Sequence, residues 1–145
     1  MEKYKKQYSK YLDQLREEIS LYKDENDLWK LTGDIKNTPG NLAIHICGNL
    51  KFNFGAVLLN NGYVRDRDSE FARKNVPREE ILKEIDSAKK VVLESLSTLS
   101  RADLNKPFPS SAYGDEGTTG DLILRISFHL AYHLGQINYH RRILT

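Results

Sequence analysis

A chain of 145 residues fits one domain, expected to span 1–145, and can bury a core without disulfide staples. Charged residues make up 29% and hydrophobic residues 39%, ordinary proportions for a soluble globular protein. The net charge is only +2 and basic residues intermix with acidic ones, so no basic stripe supports nucleic-acid binding. No apolar run approaches the length needed to span a membrane. The opening MEKYKKQ has no apolar segment behind it and is not expected to be a secretory signal. Cys47 is the single cysteine, which excludes an intramolecular disulfide and fits a reduced, cytoplasmic setting.

Four long helical segments are predicted, with no strand pattern. The first covers about Glu2 to Tyr22. Its apolar positions Tyr4, Tyr8, Tyr11, Leu12, Leu15, Ile19 and Tyr22 recur every three or four residues. Lys23 to Pro39 is a connector whose DLWKL stretch suits one helical turn. The second helix starts at Thr38-Pro39, since Thr can cap and Pro suits the first helical position. It is expected to run to about Leu59, where Asn60-Asn61-Gly62 ends it. Gly48 and Gly55 lie inside it, each unfavourable by about 1 kcal/mol relative to Ala. Their presence suggests close approach of another helix or a bound group.

The charged stretch YVRDRDSEFARKN reads as a connection. Pro77 then opens a third helix to about Leu99, with the stripe Ile81, Leu82, Ile85, Ala88, Val92, Leu96 and Leu99. Ser100 to Gly117 reads as a loop with Pro107, Pro109, Gly114 and Gly117. The fourth helix covers about Thr119 to Leu144. Thr118 with Asp121 three residues on suits a capping box, and Arg141 and Arg142 complement the dipole of the last turn. Four amphipathic helices of roughly 20 residues imply an all-α four-helix bundle, in which sites are built from core-facing side chains.

The fourth helix carries SFHLAYHLGQINYHRRIL. Its inward stripe is Leu122, Ile126, Leu130, Ile137 and Leu144. His129 and His133 fall on or beside that stripe, four residues and about 6 Å apart along the axis, so one metal ion can take a nitrogen from each. His140 lies about 10 Å beyond His133, too far to share the ion. A catalytic zinc site usually has three protein ligands and an open position. His45, in NLAIHICGNL on the second helix, is the remaining histidine in a core-like context. Neutral imidazoles suit Zn, Ni, Cu or Fe(II) rather than Ca or Mg. Spacing alone leaves two readings open, a metal site or packed, hydrogen-bonded histidines. No glutamate stands between the pair as in HExxH, and no carboxylate partner is evident.

Other polar residues have two readings each. Asn49, one turn after His45, can orient a ligand or satisfy a neighbour. Gln136, three after His133, can support the site or merely pack. Arg65 and Arg67 can bind an anionic substrate at the mouth or form local ion pairs. Cys47 points away from His45 and reads as a small buried apolar residue. Tyr132 and Tyr139 leave the histidine stripe and can face another helix or a partner subunit.

The segment HLAYHLGQINYHRRIL resembles the last helix of the DinB-like (YfiT-like) metalloprotein superfamily, where HxxxH precedes GQ: here His129, His133, Gly135 and Gln136. TPGNLAIHICGNLKFNFG resembles that superfamily's second helix, which carries the remaining histidine, mapping to His45. RDRDSEF, Arg65 to Phe71, resembles a stretch in an uncharacterised branch. Leu134 departs from the Arg that many relatives have there. The resemblance covers most of the chain in the expected order. It implies a DinB-like bundle of up-down-down-up type with a three-histidine site, His45, His129 and His133, for a divalent metal, commonly Zn or Ni, often in a homodimer. Characterised relatives include S-transferases and isomerases that use low-molecular-weight thiols, and some hydrolases. The implied function is a metal-dependent thiol S-transferase acting on small electrophiles. The alternatives are a hydrolase and a non-catalytic, stress-related dimeric metal-binding bundle.

Overall fold

The first helix, α1, spans Glu2–Ser20 and buries Tyr8, Leu12, Leu15 and Ile19, the face set by their three- and four-residue spacing. The computed structural model describes residues 1–110 and 117–144. A 3₁₀ turn over Glu25–Trp29 follows α1, capped by the Asp24 carboxylate accepting from the Asn26 amide at 2.9 Å. It coincides with the turn expected at DLWKL.

Helix α2, Pro39–Leu50, starts as expected. The Thr38 hydroxyl oxygen accepts from the Asn41 amide at 3.2 Å and Pro39 takes the first position. All its residues are buried, so it is a central element. The chain does not continue as α-helix to Leu59. Lys51–Leu58 is wound as a π-helix, and Asn60 and Gly62 then turn the chain with φ of +50° and +80°. Asn60-Asn61-Gly62 mark the end of the segment, but the spacing of apolar residues carries no signal for the change of winding.

The charged stretch, expected to be a connection, contains a short helix: α3, Arg67–Ala72. Asp66 caps it, accepting from the Ser69 amide at 3.0 Å. Six residues are too few to show an apolar stripe in the sequence. Asn41 fastens α3 to α2 by donating from Nδ2 to the carbonyls of Glu70 and Arg73, at 3.0 and 2.8 Å.

Helix α4, Arg78–Thr98, follows Pro77 and buries Ile81, Ile85, Ala88, Val92 and Leu96, with Leu82 and Leu99 half-buried against them. Of the expected loop before the last helix, residues 111–116 with Gly114 lie outside the described residues. Helix α5, Thr119–Leu144, begins with the expected reciprocal cap: the Asp121 amide donates to Thr118 Oγ1 (3.2 Å), and the Thr118 amide donates to Asp121 Oδ2 (2.9 Å). Its outer face leaves Phe128, Tyr132, Tyr139 and Ile143 exposed.

Among the described residues the protein is all-helical, with five α-helices and no strand; Pro107 and Thr118 form one isolated bridge. Helix α1 packs on α4 and α5, and α2 packs on the same two and on α3. Tyr8 and Tyr22 cross the core to donate to the α5 carbonyls of Ile123 (2.6 Å) and Ile137 (3.1 Å). Both hydroxyls therefore lie inside an apolar interior without an unmet hydrogen bond. No described helix is long and apolar enough to cross a membrane.

Candidate metal centre

Packing α2 on α5 brings His45, His129 and His133 together. The Nε2 atoms of His45 and His133 each lie 3.1 Å from Nε2 of His129. The rings meet edge-on, with centroids 4.5 to 5.3 Å apart. His45 is buried, and the other two are half-buried at the edge of the core. The ligand atoms of the three all fall within 4.8 Å of one another, so the trio can hold a metal ion.

The outer nitrogens decide the protonation of the inner ones. His45 Nδ1 lies 2.8 Å from Glu70 Oε2, and His133 Nδ1 lies 2.7 Å from Gln136 Oε1. Both partners are acceptors, so each Nδ1 carries a hydrogen and each Nε2 is the nitrogen left to face inward as a ligand atom. His129 Nε2 stands between the two and can offer at most one proton, which satisfies only one of the 3.1 Å contacts. A cation among the three nitrogens satisfies all of them. Two nitrogens on one tetrahedral zinc stand about 3.3 Å apart, given bonds of about 2.0–2.1 Å. The spacing and the donor set both fit such an ion. Burial, followed by the charges of His133, His45, Arg65 and Arg67, pushes the pKa of His129 down to about 4. Burial also lowers that of His133, against the opposing hydrogen bond to Gln136. Both rings are therefore neutral, as ligands must be.

Glu70 is the carboxylate that the sequence reading lacked. It is buried, and both its oxygens are engaged: Arg65 Nε donates to Oε1 at 2.7 Å, and Arg65 Nη2 and His45 Nδ1 reach Oε2 at 3.0 and 2.8 Å. Burial pushes its carboxyl up, but the hydrogen bonds from His45 and Arg65 outweigh it and hold the group below the usual range. Gly48 makes its position possible. A Cβ at residue 48 would overlap Oε1 and lie 2.6 Å from the carboxyl carbon. The close approach suspected from Gly48 is thus the approach of a side chain that orients a candidate ligand. Phe71, the next residue, lays its ring 4.7 Å from the His45 ring.

The other candidates separate. Gln136 meets His133, while Arg65 is tied to Glu70 and through it orients His45. Asn49, Arg65 and Arg67 line a cavity of about 270 Å³ with His45, His129 and Arg125. On the far side of the histidines, His133, Gln136, Tyr132, Leu42 and Ile143 border a more apolar cavity of about 510 Å³. Cys47 is buried and its thiol is pushed up to about 12, chiefly by burial, so it is inert. His140 is held apart, between the Tyr22 hydroxyl at 2.9 Å and the Lys30 carbonyl at 2.9 Å. Tyr132 and Tyr139 are exposed. Sequence reasoning missed Glu70, Asn41 and Arg125. Only Gly48 hinted at the first, because Glu70 lies 25 residues from the histidine it orients.

One cavity reaches His45 and His129 and the other reaches His133, so the centre borders both. Comparison with known proteins adds one relation. A family model described as "Protein of unknown function (DUF1572)" matches residues 1–145. No curated protein and no solved structure matches the chain. The chain belongs to the DUF1572 family.

Proposed function

We propose that this DUF1572 chain is a metal-dependent enzyme with a DinB-like four-helix bundle of up-down-down-up type. In this reading α1, α2, α4 and α5 are the bundle helices and α3 is an accessory element. His45, His129 and His133 would hold one divalent ion, zinc or nickel, and the activity is that of a thiol S-transferase on small electrophiles. The observation that carries the reading is the convergence of three Nε2 atoms whose outer nitrogens are tied to Glu70 and Gln136. Ligating histidines are commonly oriented in this way.

A divalent ion bound there would supply Lewis acidity, which lowers the pKa of a thiol and favours its nucleophilic thiolate. The chain's own residues do the rest. Glu70 fixes the ring plane and tautomer of His45, and Arg65 keeps Glu70 ionised and in place. Gln136 does the same for His133. The cavities on either side of the trio favour an enzyme over a purely structural site, because each offers room for one of two reactants.

The test is direct. Purified protein should contain close to one equivalent of metal by elemental analysis, and with that metal restored it should consume a low-molecular-weight thiol when an electrophile is present. Absence of turnover across several thiols and electrophiles, with metal bound, removes the transferase. A hydrolase or a non-catalytic metal protein is then the reading to pursue. The exposed face of α5, with Phe128, Tyr132 and Tyr139, favours a homodimer in either case, and sedimentation at micromolar concentration checks it.

A further inference from the structure

We infer that the 510 Å³ cavity beside His133 is the site of the electrophile, and that this reactant is an uncharged molecule with an apolar body and one hydrogen-bond acceptor, such as a carbonyl oxygen. The inference rests on the metal-dependent reading above and specifies its second reactant. The cavity lies between α5, the start of α2 and the connector that precedes α2. Ile35 borders it from the connector, Pro39 and Leu42 from α2, and Tyr132, Tyr139 and Ile143 from α5. The α5 positions 132, 136, 139 and 143 are four, three and four residues apart, so they form one stripe along the helix. The two tyrosines and the isoleucine on that stripe are 65–69% exposed. A solvated helix face is ordinarily polar, whereas this one is apolar where it borders the cavity. Phe128, also exposed on α5, is not part of the lining and stays available for a dimer contact.

The polar lining on α5 is His133, Gln136 and His140. His140 is engaged at both nitrogens, by the Tyr22 hydroxyl and the Lys30 carbonyl. His133 has Nδ1 on Gln136 Oε1 and turns Nε2 to the other histidines. Gln136 Oε1 is the atom that faces the ring, because a His133 that ligates through Nε2 carries its hydrogen on Nδ1. The hydrogens on Gln136 Nε2 are then the ones left for a ligand, and no acceptor among the described residues takes them. An acceptor atom bound there would sit close to the ring that would hold the ion. Lys36, exposed on the connector, is the one charged side chain on the lining among the described residues. An anion entering the cavity would leave water for a mainly apolar wall, with a single mobile ammonium as its partner, which disfavours it. The volume lies within the range of small-ligand sites.

The probes are acetophenone, ethylbenzene and benzoate, which share one ring and differ in the polar group, titrated into zinc-loaded and metal-free protein by ligand-detected NMR. Acetophenone should bind the loaded protein about threefold or more tightly than ethylbenzene, which lacks the acceptor, and more tightly than benzoate. Ile143→Lys puts a charge on the apolar wall and should lower acetophenone affinity at least fivefold with metal content unchanged. Ile143 is exposed, so the helical circular dichroism should stay intact; if it does not, Tyr139→Ser carries the same comparison. Gln136→Glu keeps an oxygen for His133 Nδ1 and removes the donors. At saturating zinc it should abolish the preference for acetophenone over ethylbenzene. Unchanged acetophenone affinity in Ile143→Lys overturns the site. Tighter binding of benzoate than of acetophenone overturns the uncharged ligand, and a preference retained in Gln136→Glu overturns the acceptor contact. A second copy seated on the same stripe would compete, so acetophenone affinity that falls as protein concentration rises also overturns the site. Failure of the metal reading shows separately, as wild-type protein that binds no metal. In that case Ile143→Lys, compared with wild type in the metal-free titration, still decides the cavity.

Discussion

His45 is the ligand candidate with the most elaborate support: a buried ring held from behind by Glu70, which is held in turn by Arg65. Support of this kind typically accounts for about 10–100-fold in metal affinity. Glu70→Gln should therefore weaken zinc binding by roughly that factor while leaving the helices formed, measured by competition with a chromophoric chelator. His129→Ala should go further and leave less than a tenth of an equivalent of metal by elemental analysis. Gly48→Ala should act on the same atom from the other side. Its methyl needs the space of the Glu70 carboxyl, so both stability and metal affinity should fall, the former by about 1–3 kcal/mol in chemical denaturation. Protons compete at this centre with a definite sign. Native His129 stays neutral down to about 4, whereas an unfolded histidine protonates near its ordinary value of about 6.5. Unfolding therefore takes up a proton between those values. The metal-free protein should keep its full stability above about pH 6.5 and lose it progressively as pH falls toward 4. Thermal melts between pH 4 and 8 check the direction.

At the scale of the element, helix ends set where the site residues stand. Thr38 and Pro39 start α2 six residues before His45, and the Thr118–Asp121 cap starts α5 ten residues before His129. Changing a start would rotate the imidazoles by about 100° per residue. Thr118→Ala should cost about 1 kcal/mol in denaturant unfolding, the usual value of an N-cap, with little effect on metal content because α5 is also fixed by Tyr8 and Tyr22. Helix α3 has no such internal support. It is six residues long and depends on Asp66 at its cap and on Asn41, whose side chain crosses from α2. The carboxylate that orients His45 thus rides on an element that tertiary contacts hold in place.

For the whole molecule, the centre joins the buried α2 to α5, so an ion there should cross-link the two in the folded state only. At a free metal concentration 100 times the dissociation constant, such binding stabilises by about 2.7 kcal/mol. Zinc added to metal-free protein should raise the melting temperature, and His45→Ala should abolish the rise.

The four long helices, both caps, the buried stripes of α1 and α4 and the three-histidine set were all legible in the chain itself. Each rests on residues within a few positions of one another, where a period of three to four or a Thr-x-x-Asp spacing expresses a local physical preference. The set of three needed one long-range step, from His129 and His133 to His45, and the shared apolar setting of the histidines was enough to suggest it. Tertiary structure decided the rest. It wound residues 51–58 as a π-helix, made a helix of RDSEFA, and set Glu70 into the space left by Gly48. It also paired Arg65 with that carboxylate while leaving it on the cavity beside His45 and His129. No local pattern encodes those pairings, because a carboxylate and the imidazole it orients need only meet in space. They meet here once α2, α3 and α5 have buried their common faces.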